Sequence, residues 1–245
     1  MPAPKPAERP AFYALRPGGL RDLVTLLHPP YTAWHLSYVA IGAAVAPKLH
    51  GDRLAAALGA FLLAVGVCAH ALDELRGRPL GTRLSDRMLA GLGAVALAGA
   101  VAIGIVGAAT VSLSLLAFVL VGAFMVAAYN LELFGGRFHS DFWFAAAWGA
   151  FPALTGYWVN ALSFSVPGAL VTAACFMLSV VQRRLSTPVR ELRRRTASVA
   201  GRQQLADGTV IQLDAARLAA PLDGALAACS VALALLAAGL VIARL

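Results

Sequence analysis

The densest run of side chains able to do chemistry is Ala69-His70-Ala71-Leu72-Asp73-Glu74-Leu75-Arg76-Gly77-Arg78-Pro79-Leu80-Gly81-Thr82-Arg83-Leu84-Ser85. Asp73 stands one helical turn beyond His70, so the two can address a single point. Carboxylates in such a setting can hold Mg²⁺, which takes one or two of them together with substrate phosphates. A second run, Gln182-Arg183-Arg184-Leu185-Ser186-Thr187-Pro188-Val189-Arg190-Glu191-Leu192-Arg193-Arg194-Arg195, has the opposite character: arginine dominates it, with a single Glu and no Asp. Arginine neutralises phosphate directly through a planar fork of donors. The first run also has an ordinary reading as a charged loop solvated at a surface. A zinc site from His70, Asp73 and His139 lacks the short ligand spacing such sites show. The remaining histidines, His28, His35 and His50, suit interfacial or hydrogen-bonded roles. Cys68, Cys175 and Cys229 lie in apolar runs without metal-type spacing, as small hydrophobes do.

The elements that must position these residues belong in lipid. Of 245 residues, 60% are hydrophobic and 13% charged, and mean hydropathy is +0.75; a soluble domain is about one quarter charged. Apolar runs near the roughly 20 residues needed to span a bilayer fall at Tyr31–Pro47, Leu54–Leu72, Met88–Ala108, Val111–Tyr129, Phe142–Ala161, Pro167–Val181 and Leu222–Ile242. The sequence thus predicts an all-α, polytopic integral membrane protein of about seven transmembrane helices. With the N-terminus inside, every basic residue except Lys48, Arg53 and Arg244 falls on the cytoplasmic side, as the positive-inside rule asks. The C-terminus is then outside. The expected organisation is a cytoplasmic tail over residues 1–30 and a bundle over 31–245, with cytoplasmic loops at about 73–87, 130–141 and 182–221.

Within the tail, Gly19–His28 reads as a short interfacial helix. Leu20, Leu23, Val24 and Leu27 lie on one face, with Arg21 and Asp22 on the other. Pro29 and Pro30 then turn the chain into the membrane. Met1–Pro10 has no apolar h-region, so no removable signal peptide is expected. Farther on, Leu205–Thr209 reads as a turn, Val210–Leu213 as a short strand, and Asp214 as a helix cap, with Pro221 kinking or dividing that helix. An Ala- and Arg-rich membrane protein of this kind points to a bacterial cytoplasmic membrane. The net charge of +8 suits anionic lipid headgroups or a phosphorylated substrate. Nucleic acid does not fit, because the basic loops lie at a membrane surface without interleaved aromatics.

Residues 69–85 resemble the first signature of the UbiA superfamily of intramembrane prenyltransferases: an Asn-Asp-x-x-Asp motif, a basic residue and Gly, Arg-Pro-Leu, a small-residue turn, and a Ser opening the third helix. Asp73, Arg76, Gly77, Arg78, Pro79, Leu80 and Ser85 match it. His28-Pro29-Pro30-Tyr31-Thr32, Tyr129-Asn130, Gly135-Gly136-Arg137 and Phe151-Pro152 are similar to further family elements, and the resemblance covers residues 18 to 185. The chain departs from the pattern in three ways. Ala69 and His70 replace the Asn and the first Asp. The second Asp-rich motif is replaced by the arginine run. The family has about nine spans, so the resemblance implies a UbiA-like bundle lacking the last ones.

The resemblance implies an isoprenoid or phospholipid ligand. Asp73 and Glu74 would be the catalytic acids and Asp73 with His70 the remnant of a Mg²⁺ site. Arg76, Arg78, Tyr129, Asn130, Arg137, Arg183 and Arg184 would hold the substrate around one cytoplasmic opening that continues into an apolar groove. Losing the second acidic motif disfavours Mg²⁺ there. Three readings follow: a prenyltransferase-like transferase, a catalytically inactive relative that binds lipid or supports a membrane protein complex, and an unrelated small transporter or scaffold.

Overall fold

The computed structural model describes residues 9–245. It is mostly helical, at 73%. A short helix, α1 (Leu20–Leu26), precedes seven longer ones: α2 (Pro29–Val45), α3 (Gly51–Gly77), α4 (Asp86–Thr110), α5 (Leu115–Asn130), α6 (141–161), α7 (Val166–Arg194) and α8 (Ala215–Ile242). Four of these, α3, α4, α7 and α8, are long and apolar enough to cross a membrane, and α5 is a shorter apolar helix. Their outward faces carry Val95 at 75%, Leu120 at 71% and Leu235 at 68% exposure. Contiguous apolar surface of this kind is costly in water and ordinary in lipid; the chain is a membrane protein.

Local chemistry sets the helix starts. Ser85, Ser140, Ser165 and Asp214 each accept a hydrogen bond from a backbone N–H in the first turn of α4, α6, α7 and α8 respectively, satisfying donors that a helix leaves orphaned. Pro221 does not divide α8, which runs continuously across it; at the seventh helical position it removes the one intrahelical bond that its N–H would have donated to the Arg217 carbonyl, and the rest of the helix carries on past that loss.

The centre of the bundle is α2, whose Trp34, Tyr38, Val39 and Ala43 are fully buried. It meets α6 through small residues. A Cβ at Gly42 would lie 2.0 Å from the Ala153 carbonyl oxygen, and one at Gly156 would lie 2.0 Å from that of Val39. Two backbones in contact maximise packing where no hydrophobic effect drives helices together. Gly149 on α6 similarly admits the Cys175 carbonyl and Ser179 of α7.

Two helices change register midway. The segment Leu62–Ala69 of α3 and the segment Ala146–Ala150 of α6 are π-helical, a feature that tends to accompany functional sites.

The helices connect two ends. At one, the His50 N–H donates to Asn160 Oδ1 (2.7 Å), Arg53 donates to the Val159 carbonyl, Trp158 donates to Ser114, and Arg244 donates to the carbonyls of Ala46 and Pro47. At the other lie α1, the 78–85 loop, residues 131–140 and a β-hairpin in which β1 (Gly201–Gln204) pairs antiparallel with β2 (Val210–Leu213). The turn, strand and Asp214 cap expected there are all present.

Two expectations need correction. The loop expected from residue 182 is helix up to Arg194: α7 runs 29 residues, about 43 Å at 1.5 Å per residue, and so overshoots a hydrocarbon core of about 30 Å. The interfacial segment is helical only over Leu20–Leu26, and Asp22 is buried. It accepts from the Gly18 N–H (3.0 Å) and the Arg83 N–H (3.2 Å), clasping the N-terminal segment to the loop after α3.

Candidate functional site

A cavity of about 500 Å³ opens at the end that carries the hairpin. Asp73 enters it from α3, Tyr129 and Asn130 from the end of α5, and Gln182, Arg183, Arg190, Arg193 and Arg194 from α7. Phe12 and Tyr13 line it from the N-terminal segment, which is held in place by burial of Ala11 and Ala14 with Leu80 and by the Leu15 N–H donating to Thr25 Oγ1 at 3.0 Å.

The overshoot of α7 supplies one wall. Gln182, Ser186, Arg190 and Arg194 recur every four residues and so share one helix face; all four line the cavity. Their partners differ. Arg183 Nε donates to Asp141 Oδ1 at 2.8 Å, and its guanidinium lies 5.0 Å from the centre of the Phe144 ring. Arg193 makes a two-pronged pair with Asp223. Arg190 donates to Thr187 Oγ1 at 3.1 Å. Among the described residues, neither Arg190 nor Arg194 has a carboxylate within 4 Å. Arg190 is half-buried and Arg194 exposed at the mouth. The charges of both act on Asp73 across the cavity without touching it.

Two acceptors at the cavity lack donors among the described residues. Gln182 is 2% exposed, and its Oε1 is buried without a hydrogen-bond partner, a state that ordinarily costs about 1–3 kcal/mol. No donor among the described residues reaches the Asp73 carboxylate within hydrogen-bond distance. Aromatic rings make up much of the rest. His28 stacks on His70 with centroids 4.0 Å apart and planes 12° from parallel, and Tyr129 stacks on His139 at 4.5 Å. Burial, then the His70 ring and the charges of Arg194 and Arg190, hold His28 well below its ordinary pKa; it is neutral at pH 7. Burial likewise pushes the Tyr13 phenol well above its ordinary value.

An apolar groove adjoins this cavity. It runs between α3, α4, α5 and α6 from Arg53 to Val65, and Val65 and Trp148 line both spaces. Those two residues lie in the two π-helical segments. Along α3 the groove extends for 12 residues, about 18 Å, and its walls are largely Ala, Gly, Val and Phe.

The expected site residues are therefore only partly gathered. Asp73, His70, Tyr129, Asn130 and Arg183 line the cavity. Arg76 stands beside it, donating to Glu132 (3.0 Å) and to the Leu131 carbonyl. Arg78 turns away to Asp86 and the Leu84 carbonyl. Arg137 and Arg184 are exposed and outside the cavity lining. Glu74 is fully buried, accepting from the Leu80 N–H, the Thr82 N–H and the Thr82 hydroxyl at 2.8–2.9 Å. Its carboxylate organises the 78–82 turn and is not presented to the cavity.

Arg190, Arg194, Gln182 and Tyr13 were not singled out from sequence. The four-residue spacing along 182–194 was the available signal, hidden by reading the segment as a loop. Among the described residues, no three of His, Cys, Asp and Glu gather closely enough to hold a metal ion. This donor set does not fit a Mg²⁺ site in which Asp73, Glu74 and His70 cooperate: Glu74 is engaged elsewhere, and His70 Nδ1 faces the Gly66 carbonyl at 3.1 Å.

No family model, curated protein or solved structure matches the chain.

Proposed function

We propose that this protein binds the phosphate group of an isoprenoid or other lipid at the cytoplasmic face of a bacterial inner membrane. In this reading the seven long helices are seven spans of a UbiA-like bundle with the N-terminus inside. The supporting observation is the pair Arg190 and Arg194, cations without a carboxylate partner among the described residues, on the wall of a cavity that adjoins an apolar groove. A half-buried guanidinium without a counter-charge favours an anionic ligand, and the groove offers an apolar tail a place beside it. Phosphate is held by arginine rather than through Mg²⁺.

The test is binding of a polyprenyl monophosphate to the full chain in neutral-lipid nanodiscs. Affinity is expected to survive chelation, to fall as salt rises, and to drop in Arg190→Gln, with Arg184→Gln and Arg137→Gln as wild-type-like controls. Binding abolished by chelator with the arginines intact would refute the arginine mechanism. The orientation is tested by cysteine labelling of an Arg202→Cys variant in the hairpin, expected only from the cytoplasmic side.

A second reading, transfer of the prenyl group to an acceptor, draws on one observation: Asp73 lines the same cavity as the arginines. It predicts turnover of a prenyl diphosphate that Asp73→Ala abolishes. The non-catalytic reading, as a lipid-binding subunit of a membrane complex, predicts binding without turnover.

A further inference from the structure

The cavity holds more than a phosphate site, and the inference drawn here rests on the reading that its arginines bind phosphate. At about 500 Å³ it has many times the space of one water molecule, whose share of liquid volume is about 30 Å³, and it falls in the range of small-molecule sites. Its cationic wall accounts for an anion. Its other polar groups do not. Gln182, on the same helix face as Arg190, lines the cavity, and its Oε1 is an acceptor closed to water and without a donor among the described residues, so a ligand meets it only once the side chain turns. Asp73 is a second acceptor that feels Arg190 and Arg194 but pairs with neither. A phosphate dianion offers no donor to either group and would be repelled by the carboxylate. Tyr129 and His139 add a flat stacked surface beside them.

We propose that the ligand's headgroup is a phosphate ester of a hydroxylated group, a sugar or polyol phosphate. Its phosphate lies on Arg190 and Arg194, and its hydroxyls donate to the Asp73 carboxylate and, with the Gln182 side chain turned toward the cavity, to Gln182 Oε1. Such a ligand satisfies both acceptors and the two arginines together, and its bulk matches the cavity. The hydroxylated phosphate can be free or carried on a lipid; the recognition chemistry is the same.

The experiment is calorimetric titration of the full chain in phosphatidylcholine nanodiscs with glucose 1-phosphate, glycerol 3-phosphate and methyl phosphate, which share a phosphate monoester but differ in hydroxyls. Wild type is expected to prefer the hydroxylated esters by about tenfold or more, the scale of one hydrogen bond to a charged group. Gln182→Met, which keeps the shape and removes the acceptor, and Asp73→Asn, which removes the charge, should each narrow that preference to within about threefold. Methyl phosphate affinity should stay unchanged or rise. Equal affinity for all three esters in wild type, or a preference untouched in both variants, overturns the inference while leaving phosphate binding standing. If none of the esters binds, a polyprenyl hexosyl phosphate incorporated in the nanodiscs is compared with polyprenyl monophosphate. A preference for the former that Gln182→Met removes assigns the site to a lipid-linked headgroup. Equal binding of the two lipids overturns the headgroup assignment alone, and failure of both overturns the phosphate reading itself.

Discussion

The two ends of the bundle treat their polar groups in opposite ways. At the closed end, Arg53 and Arg244 donate to backbone carbonyls, and Asn160 accepts the His50 N–H while its own amide donates to the Gly156 carbonyl. At the open end Arg76, Arg78, Arg183 and Arg193 are matched to carboxylates, but among the described residues Arg190 and Arg194 are not, and Gln182 Oε1 has no donor. Arginines thus serve two purposes in one chain. Those that fasten helix ends are already satisfied within the fold. Those at the open end without a carboxylate among the described residues are the ones assigned above to a ligand, since an uncompensated buried cation is a cost that a folded protein tolerates at few places.

The contrast can be broken at its midpoint. Gly156→Leu drives a side chain into the Val39 backbone and should separate α2 from α6, abolishing the folded monodisperse protein at both ends; size-exclusion chromatography in detergent reads this directly. At the open end, Arg190→Gln is expected to weaken lipid-phosphate binding by about 1.5–3 kcal/mol, roughly 10- to 150-fold, with thermal stability kept or raised. Arg194→Gln, exposed at the mouth, should cost less than about 1 kcal/mol. Loss of stability with unchanged binding in Arg190→Gln would place that arginine among the fasteners. Glu74→Ala leaves the Leu80 and Thr82 donors without an acceptor and should lower stability by about 1–3 kcal/mol, measured by thermal unfolding, with binding affected only through folding. Arg53→Ala and Arg244→Ala, near the surface of the closed end, should each shift stability by under about 1 kcal/mol and leave binding unmoved.

Much of this architecture was written in composition and patterning. The apolar runs located every long helix, because a helix of this bundle is apolar both where it faces outward and where it is packed at the centre, as α2 is. Ser85 and Asp214 marked helix starts, and each accepts a first-turn N–H; the Ser140 and Ser165 caps were not read from sequence. The run through residue 85 drew attention to Asp73, which lines the cavity. Glu74 misled because adjacent residues on a helix point about 100° apart; it faces the loop that folds back beneath it, which no local pattern announces. Arg183 and Arg184 were grouped as neighbours, yet only Arg183 faces the cavity, for the same reason. Pro188 encouraged a loop reading of residues 182–195, whereas α7 runs straight across it. Tyr13 owes its place to tertiary packing alone.

The π-helical segment of α3 acts as a rotary offset between two faces of one rod. Upstream, Ala57, Ala60 and Ala64 line the groove; downstream, Ala69, His70 and Asp73 line the cavity. Removing a single residue from Leu62–Ala69 would turn everything beyond it by about 100°, swinging Asp73 out of the opening while leaving the hydropathy profile almost unchanged. A one-residue deletion there is thus nearly silent to any reading of composition yet decisive for the site. Chains of similar hydropathy that differ by that one residue would share a scaffold and not a binding pocket.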